Sequence, residues 1–168
     1  MMEYLIIGNG VAGTTAAENI RNNDKEGKIT IVTEEDSPFY YRIRLNEYIS
    51  GELIESALQS KKNQWYEDMG ITLRLKTRVT GGDASSRIIM TEEGKKLFYD
   101  RLLLAAGSSS FIPPIKGSNK KGVFAIRNLQ DARAIIAWAK DVREVVIIGG
   151  GLLGLEAGNA FRKLNMSV

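Results

Sequence analysis

The sequence predicts an α/β chain of Rossmann-like, doubly wound architecture, and three observations predict it. Two G-x-G-x-x-G spacings, Gly8-Asn9-Gly10-Val11-Ala12-Gly13 and Gly149-Gly150-Gly151-Leu152-Leu153-Gly154, stand near opposite ends of the chain. Each follows a short apolar run, residues 4–7 or 144–148, of the kind that forms a buried parallel strand. Each leads into helical patterning, residues 11–21 or 155–164. A lone glycine fingerprint is weak; one with its own strand and helix marks a dinucleotide-binding βα unit.

Within the first copy each glycine has a task. Gly8 permits the tight turn, Gly10 lets a pyrophosphate approach the backbone, and Gly13 lets helix and strand pack closely. The helix N-terminus then offers unpaired N–H groups and a partial positive charge to the phosphates. A second strand, Lys28–Val32, leads to Glu34, which stands about twenty residues past the last glycine, where a carboxylate takes ribose hydroxyls. The competing reading is a turn-forming glycine cluster with a solvated Glu34-Glu35-Asp36 run.

Composition narrows the function classes. At 168 residues, 43% hydrophobic and 26% charged, the chain fits an ordinary globular protein of one domain, or one and a part. A net charge of +3, with 23 basic residues interleaved among 20 acidic ones, gives no block suited to nucleic acid. The pairs Lys61-Lys62 and Lys120-Lys121 read as solvated loop or helix-end charges. Cysteine and histidine are both absent, so this chain holds no disulfide, thiolate or imidazole metal site, redox Cys pair or His-based triad. No signal-peptide pattern and no run of membrane-spanning length is present, so a cytoplasmic protein without membrane contact is expected.

Taken in order, residues 35–42 form a polar turn running into aromatics, and residues 44–50 a short helix stopped by Gly51. Residues 55–69 read as a longer helix ending at Gly70, and residues 71–75 as a strand followed by Arg78-Val79-Thr80. Residues 87–90 and 96–99 flank a hairpin loop, and residues 101–106 read as a strand buried on both faces. The Ser- and Pro-bearing stretch 108–121 suggests a domain boundary, giving domains 1–111 and 112–168. Residues 123–126 read as a strand, and Asn128 with Asp131 as a near capping box for an amphipathic helix. Trp65 and Trp138 read as packing residues.

Two dinucleotide sites on one chain imply two nucleotides, and a flavin with a nicotinamide dinucleotide is the economical pair, because hydride passes between their rings. The sequence stops where the next strand of the second domain would begin, so a truncated second domain, and self-association through its exposed edges, are expected.

The residues resemble the N-terminal part of the pyridine nucleotide–disulfide oxidoreductase superfamily, nearest to rubredoxin reductases and nitrite reductase large subunits. The resemblance is carried by Ile6 through Gly13, Tyr41-Arg42 with Leu45, Tyr99 through Gly107, Pro113 through Gly117, and Gly149 through Glu156. It implies a three-layer FAD- and NAD(P)H-binding fold, with a small β-meander over residues 87–99 in place of a crossover helix. By that resemblance Gly8, Asn9, Gly10, Val11, Ala12 and Gly13 cradle the FAD pyrophosphate. Glu34 and Glu35 lie at the adenosine ribose, Arg42 along the cofactor, and Val79 at the adenine through its backbone. Ala105 and Gly107 lie at the crossover, where the family's Ala-Thr-Gly is here Ala105-Ala106-Gly107. Arg127 reaches toward the flavin side, and Gly149, Gly151, Leu152, Leu153, Gly154 and Glu156 form the NAD(P)H elbow.

Position 47 departs further: many relatives carry a lysine paired across the flavin with the glutamate matching Glu156, and this chain has Glu47. Either two carboxylates face each other there and one holds a proton, or Glu47 points to solvent. The resemblance implies an NAD(P)H-dependent flavoprotein reductase that passes electrons to rubredoxin or to an attached sirohaem domain, with no catalytic acid, nucleophile or metal. The alternatives are an incomplete nucleotide-binding fragment without turnover and a dehydrogenase using one nucleotide, the latter weakened by the second glycine motif.

Overall fold

A computed structural model describes residues 1–168. In chain order the elements begin with β1 (Glu3–Ile7), α1 (Val11–Asn23), β2 (Lys28–Val32) and three short helices, α2 (Leu45–Ile49), α3 (Glu55–Leu58) and α4 (Asn63–Asp68). Next come β3 (Ile71–Arg74), β4 (Val79–Asp83), β5 (Ile88–Thr91), β6 (Lys96–Phe98) and β7 (Arg101–Leu104), then α5 (Leu129–Ala139) and α6 (Leu152–Lys163). The chain divides into two units: Met1–Tyr40 with Gln59–Ser108, and Tyr41–Leu58 with Ser109–Val168. No helix is long and apolar enough to cross a membrane.

The first unit is built on a parallel sheet in the order β3-β2-β1-β7. The order reverses between β1 and β7, which makes a topological switch point at their C-terminal ends. Alternation along the strands sorts side chains to two faces. Ile6, Ile29 and Ile31 pack with Ala17 of α1 and Tyr66 of α4. Leu5 and Val32 face the other way, onto Ile89 of β5, with Val79 and Leu97 alongside. That second layer is an antiparallel meander, β4-β5-β6, so the unit has three layers.

A polar knot closes the α1–β2 turn. Arg21 donates from Nε to the Met69 carbonyl (2.8 Å), from Nη1 to those of Asp24 and Lys25, and from Nη2 to those of Gly27 and Gly70. Asp24 accepts from the Gly27 and Glu26 N–H groups and from the Tyr4 hydroxyl. The Gly27 and then Glu26 amides hold its carboxyl below the usual aspartate range.

In the second unit α2 packs against α5 and α6. Asn128 caps α5 with a complete capping box: its Oδ1 accepts from the Asp131 amide (2.9 Å) and the Asp131 carboxylate accepts from the Asn128 amide (3.0 Å). Arg133 of α5 donates from Nε to Glu55 Oε2 at 2.9 Å and Tyr48 donates to the same carboxylate, also at 2.9 Å. Arg133 first, then Tyr48, keeps the Glu55 carboxyl below its ordinary range despite its partial burial.

Four elements differ from the sequence expectation. The helix expected over 55–69 is split into α3 and α4, because the Ser60 and Lys61 amides donate to the Phe39 carbonyl instead of continuing the helix. The strand expected over 101–106 ends at Leu104 and is a sheet edge: with a neighbour on one side only, Leu103 is 37% and Leu104 70% exposed. Residues 123–126 form no strand. Residues 144–148 hold an extended line with a single parallel bridge, Glu144 to Ser167, since a strand needs a continuous ladder beside it and this one has two backbone bonds. One face of this line therefore stays open, with Val146 86% and Ile148 77% exposed, while Val145 and Ile147 on the other face are half-buried. Trp138 is also 42% exposed, resting edge-on against Phe124.

Candidate dinucleotide-binding sites

The two glycine motifs fold into the same βα elbow. Gly8 has φ +111° and Gly149 φ +120°, a region that an L side chain enters only under strain. A Cβ on Gly13 would lie 2.0 Å from the Gly8 carbonyl oxygen and 3.3 Å from Ile6 Cγ2. A Cβ on Gly154 would lie 2.1 Å from the Gly149 oxygen and 3.3 Å from Ile147 Cγ2. The third glycine of each motif is thus required by the close crossing of helix and strand.

The middle glycines differ in kind. A Cβ on Gly10 or Gly151 would meet nothing within 4 Å. Both are N-caps in extended backbone, and neither α1 nor α6 has a side chain capping it. Each elbow therefore presents uncapped helix N–H groups beside open space, and a pyrophosphate fits that cradle. Val11, 65% exposed, and Leu152 and Leu153, each 73% exposed, stand at the mouths of the two elbows.

The first elbow sits at the switch point. A Cβ on Gly8 would lie 2.1 Å from the Ala105 carbonyl oxygen, so β7 passes against the turn, and Ala105 in turn donates to the Ile7 carbonyl at 2.8 Å. Gly107, at φ +72°, turns the chain away just beyond. The second elbow has no such neighbour: nothing lies within 4 Å of a Cβ on Gly149.

Around the first elbow, Asn9 Oδ1 accepts from the Tyr66 hydroxyl (2.9 Å), which itself accepts from the Phe39 amide (3.2 Å). Burial pushes the Tyr66 hydroxyl pKa up, so it stays a donor. Asn9 Nδ2 and Ser37 Oγ are buried without a partner, two polar groups left over at this corner of the fold. Glu34 lies past the end of β2 and accepts from Arg78 Nη1 at 2.6 Å. Glu35 is turned to the Tyr40 hydroxyl, and Val79 opens β4.

Three residues expected along the first nucleotide belong to the second unit: Arg42, Glu47 and Arg127. Arg42 Nη1 donates to the Arg127 carbonyl at 3.3 Å. Glu47 and Glu156 each have a partner of their own. Arg44 grips Glu47 through Nε at 3.0 Å and Nη2 at 2.6 Å, and it is Asn46 whose Nδ2 reaches Glu156 Oε2, at 3.4 Å. The Arg44 guanidinium holds the Glu47 carboxyl below its ordinary range, the opposite of a shared proton. The reason is local: Arg44 and Glu47 are three apart, at the start of α2, and meet on one face.

Sequence reasoning passed over Tyr66, Ser37, Asn46 and Arg78. An i, i+3 Arg–Glu spacing was the one available signal, and it concerned Arg44 with Glu47. The other partners lie 44 to 110 positions apart and become neighbours through the sheet or the packing of α2 on α6.

A parallel sheet with a switch point, a meander in place of a crossover helix and two uncapped glycine elbows define the Rossmann-like class of FAD- and NAD(P)-binding folds. The chain belongs to the pyridine nucleotide-disulphide oxidoreductase family, whose model matches residues 2–168. It is 37% identical over 167 residues to the nitrite reductase (NAD(P)H) of Bacillus subtilis, covering 99% of this chain and 21% of that protein. With the biphenyl dioxygenase system ferredoxin–NAD(+) reductase component of Paraburkholderia xenovorans it shares 36% identity, covering 97% of this chain and 40% of that one. The structure of NADH:rubredoxin oxidoreductase from Clostridium acetobutylicum superposes with a TM-score of 0.90 at 30% identity, covering 99% of this chain and 43% of that one. The chain thus spans from a fifth to about two fifths of the length of these relatives. The disulphide of the family's name has no counterpart in a chain without cysteine.

Proposed function

We propose that the chain is the nucleotide-binding part of an NAD(P)H-dependent flavoprotein reductase, with FAD on the first elbow and NAD(P)H on the second. The observation that carries this reading is the duplicated elbow, the same glycine contact made once against Ile6 and once against Ile147. Bound there, the flavin and nicotinamide supply hydride transfer between their rings and onward electron transfer. The chain's own residues bind and orient: Gly8 to Gly13 take the pyrophosphate on backbone N–H groups, Glu34 takes the adenosine ribose, and Val79 borders the adenine. Gly149, Gly151, Leu152, Leu153 and Gly154 do the same for the nicotinamide dinucleotide, with Glu156 held by Asn46. Rubredoxin- or ferredoxin-type carriers are the electron acceptors that fit the relatives' names; an attached sirohaem domain and a cytoplasmic setting belong to the same reading.

A second reading, nucleotide binding without turnover, is favoured by the open apolar face of the second unit. Val146, Ile148, Leu152, Leu153 and Leu155 are all more than half exposed, a surface suited to self-association. Reconstitution with FAD followed by anaerobic NADH separates the readings. The reductase reading expects flavin absorbance that bleaches on adding NADH. Retained colour without bleaching leaves the binding module, and a chain that takes up no FAD overturns both.

A further inference from the structure

Arg78 is unexplained by stability. Its guanidinium is 60% exposed and its partner Glu34 62% exposed, and ion pairs that solvated contribute little to folding. The contact is nonetheless short, 2.6 Å from Nη1 to Oε2.

Backbone bonds, not the ion pair, bring the two residues together. Lys76 takes a left-handed turn at φ +50°, its amide donates to the Glu35 carbonyl (3.0 Å), and the Thr77 amide donates to the Thr33 carbonyl (2.7 Å). Residues 76–77 therefore run beside the end of β2, and the Glu92 amide fixes the Arg78 carbonyl at 2.8 Å where the meander begins. Arg78 is delivered to Glu34 by a rigid frame. The ion pair uses one carboxylate oxygen of Glu34 and leaves Oε1 for another donor. It also offsets part of the charge of the Glu34-Glu35-Asp36 run beside an anionic ligand.

We propose that Arg78 is a positioning residue for nucleotide recognition: it fixes Glu34 so that Oε1 accepts from the hydroxyls of the adenosine ribose. This rests on the reading of the first elbow as a dinucleotide site. A planar guanidinium suits the task better than an ammonium, because it holds a carboxylate in one orientation.

The test is calorimetric binding of ADP and of 2′,3′-dideoxy-ADP, which share the phosphates and adenine and differ in the hydroxyls alone. The wild-type chain should prefer ADP by about tenfold or more, the worth of a hydrogen bond to a charged acceptor. Arg78→Ala and Glu34→Gln should each reduce that preference to about twofold or less, Arg78→Lys should restore part of it, and the double variant should be no worse than Glu34→Gln. Thermal melting of each variant reports folding separately. Arg78→Ala that keeps the wild-type preference, or loses both ligands equally, overturns the inference while leaving the dinucleotide site standing. A wild-type chain that binds neither ligand overturns that site and the inference together.

Discussion

Single residues decide what each elbow tolerates. Gly10 and Gly13 are three apart, yet their substitution by alanine should have opposite signatures. A Cβ on Gly13 runs into the Gly8 carbonyl, backbone that cannot step aside, so Gly13→Ala should lower stability by about 2–3 kcal/mol in a denaturant titration. Gly10→Ala has open space and an ordinary extended φ of −88°, so its melting temperature should match wild type while FAD binding falls, the methyl occupying the pyrophosphate cradle. The glycine spacing was legible in the sequence because it is a local pattern with a known backbone requirement, and so was the place of Glu34 just past the end of β2. The environment of Glu47 was not. The resemblance left it either opposite Glu156 or in solvent, and its partner is Arg44, three residues away. Glu47→Gln should accordingly leave the pH profile of any flavin reduction unchanged between pH 6 and pH 8, about two units or more above a carboxylate's ordinary range.

Elements were legible where their periodicity was strong and their neighbours local. The strands β1 and β2, α1 and α5 with its capping box fall where the pattern places them, within a residue or two at their ends. The long helix over 55–69 failed because a carbonyl from Phe39, distant in sequence, captures two of its amides. The Arg21 knot was invisible for a similar reason: four of its acceptors are turn carbonyls and a fifth ends α4's turn at Met69. It ties the end of α1 to the turns before β2 and β3. Arg21→Met keeps much of the side chain's bulk but leaves those carbonyls without their donor, and should destabilise the protein by about 2–3 kcal/mol. Asn128→Ala, removing one side of the α5 cap, should cost about 1 kcal/mol. Acid should act through Asp24 and Glu55. Both have folded-state pKa values held below their unfolded ones, so their contribution is present above about pH 4 and is lost as pH falls through the lowered values. Arg133→Met should flatten the part of that acid transition belonging to Glu55, measured as stability against pH from about 2 to 6.

At the scale of the whole molecule, the chain carries the same device twice. The first copy is embedded in a four-stranded parallel sheet with β7 against its turn. The second has its helix, its close glycine crossing and its uncapped N-terminus, with one bridge where the first has a sheet. That asymmetry was not legible from residues 144–148, whose apolar run is as good a strand signal as residues 4–7. A strand signal specifies a surface to be covered, and the covering elements set whether a ladder forms. Two copies of one elbow make two separable binding events the central expectation. The most direct measurement is calorimetric titration of wild type, Gly10→Ala and Gly151→Ala with FAD and with NADH. The expected result is that Gly10→Ala loses FAD and keeps NADH, while Gly151→Ala does the reverse. Both ligands competing for one elbow, or FAD binding undiminished in Gly10→Ala, would contradict the account.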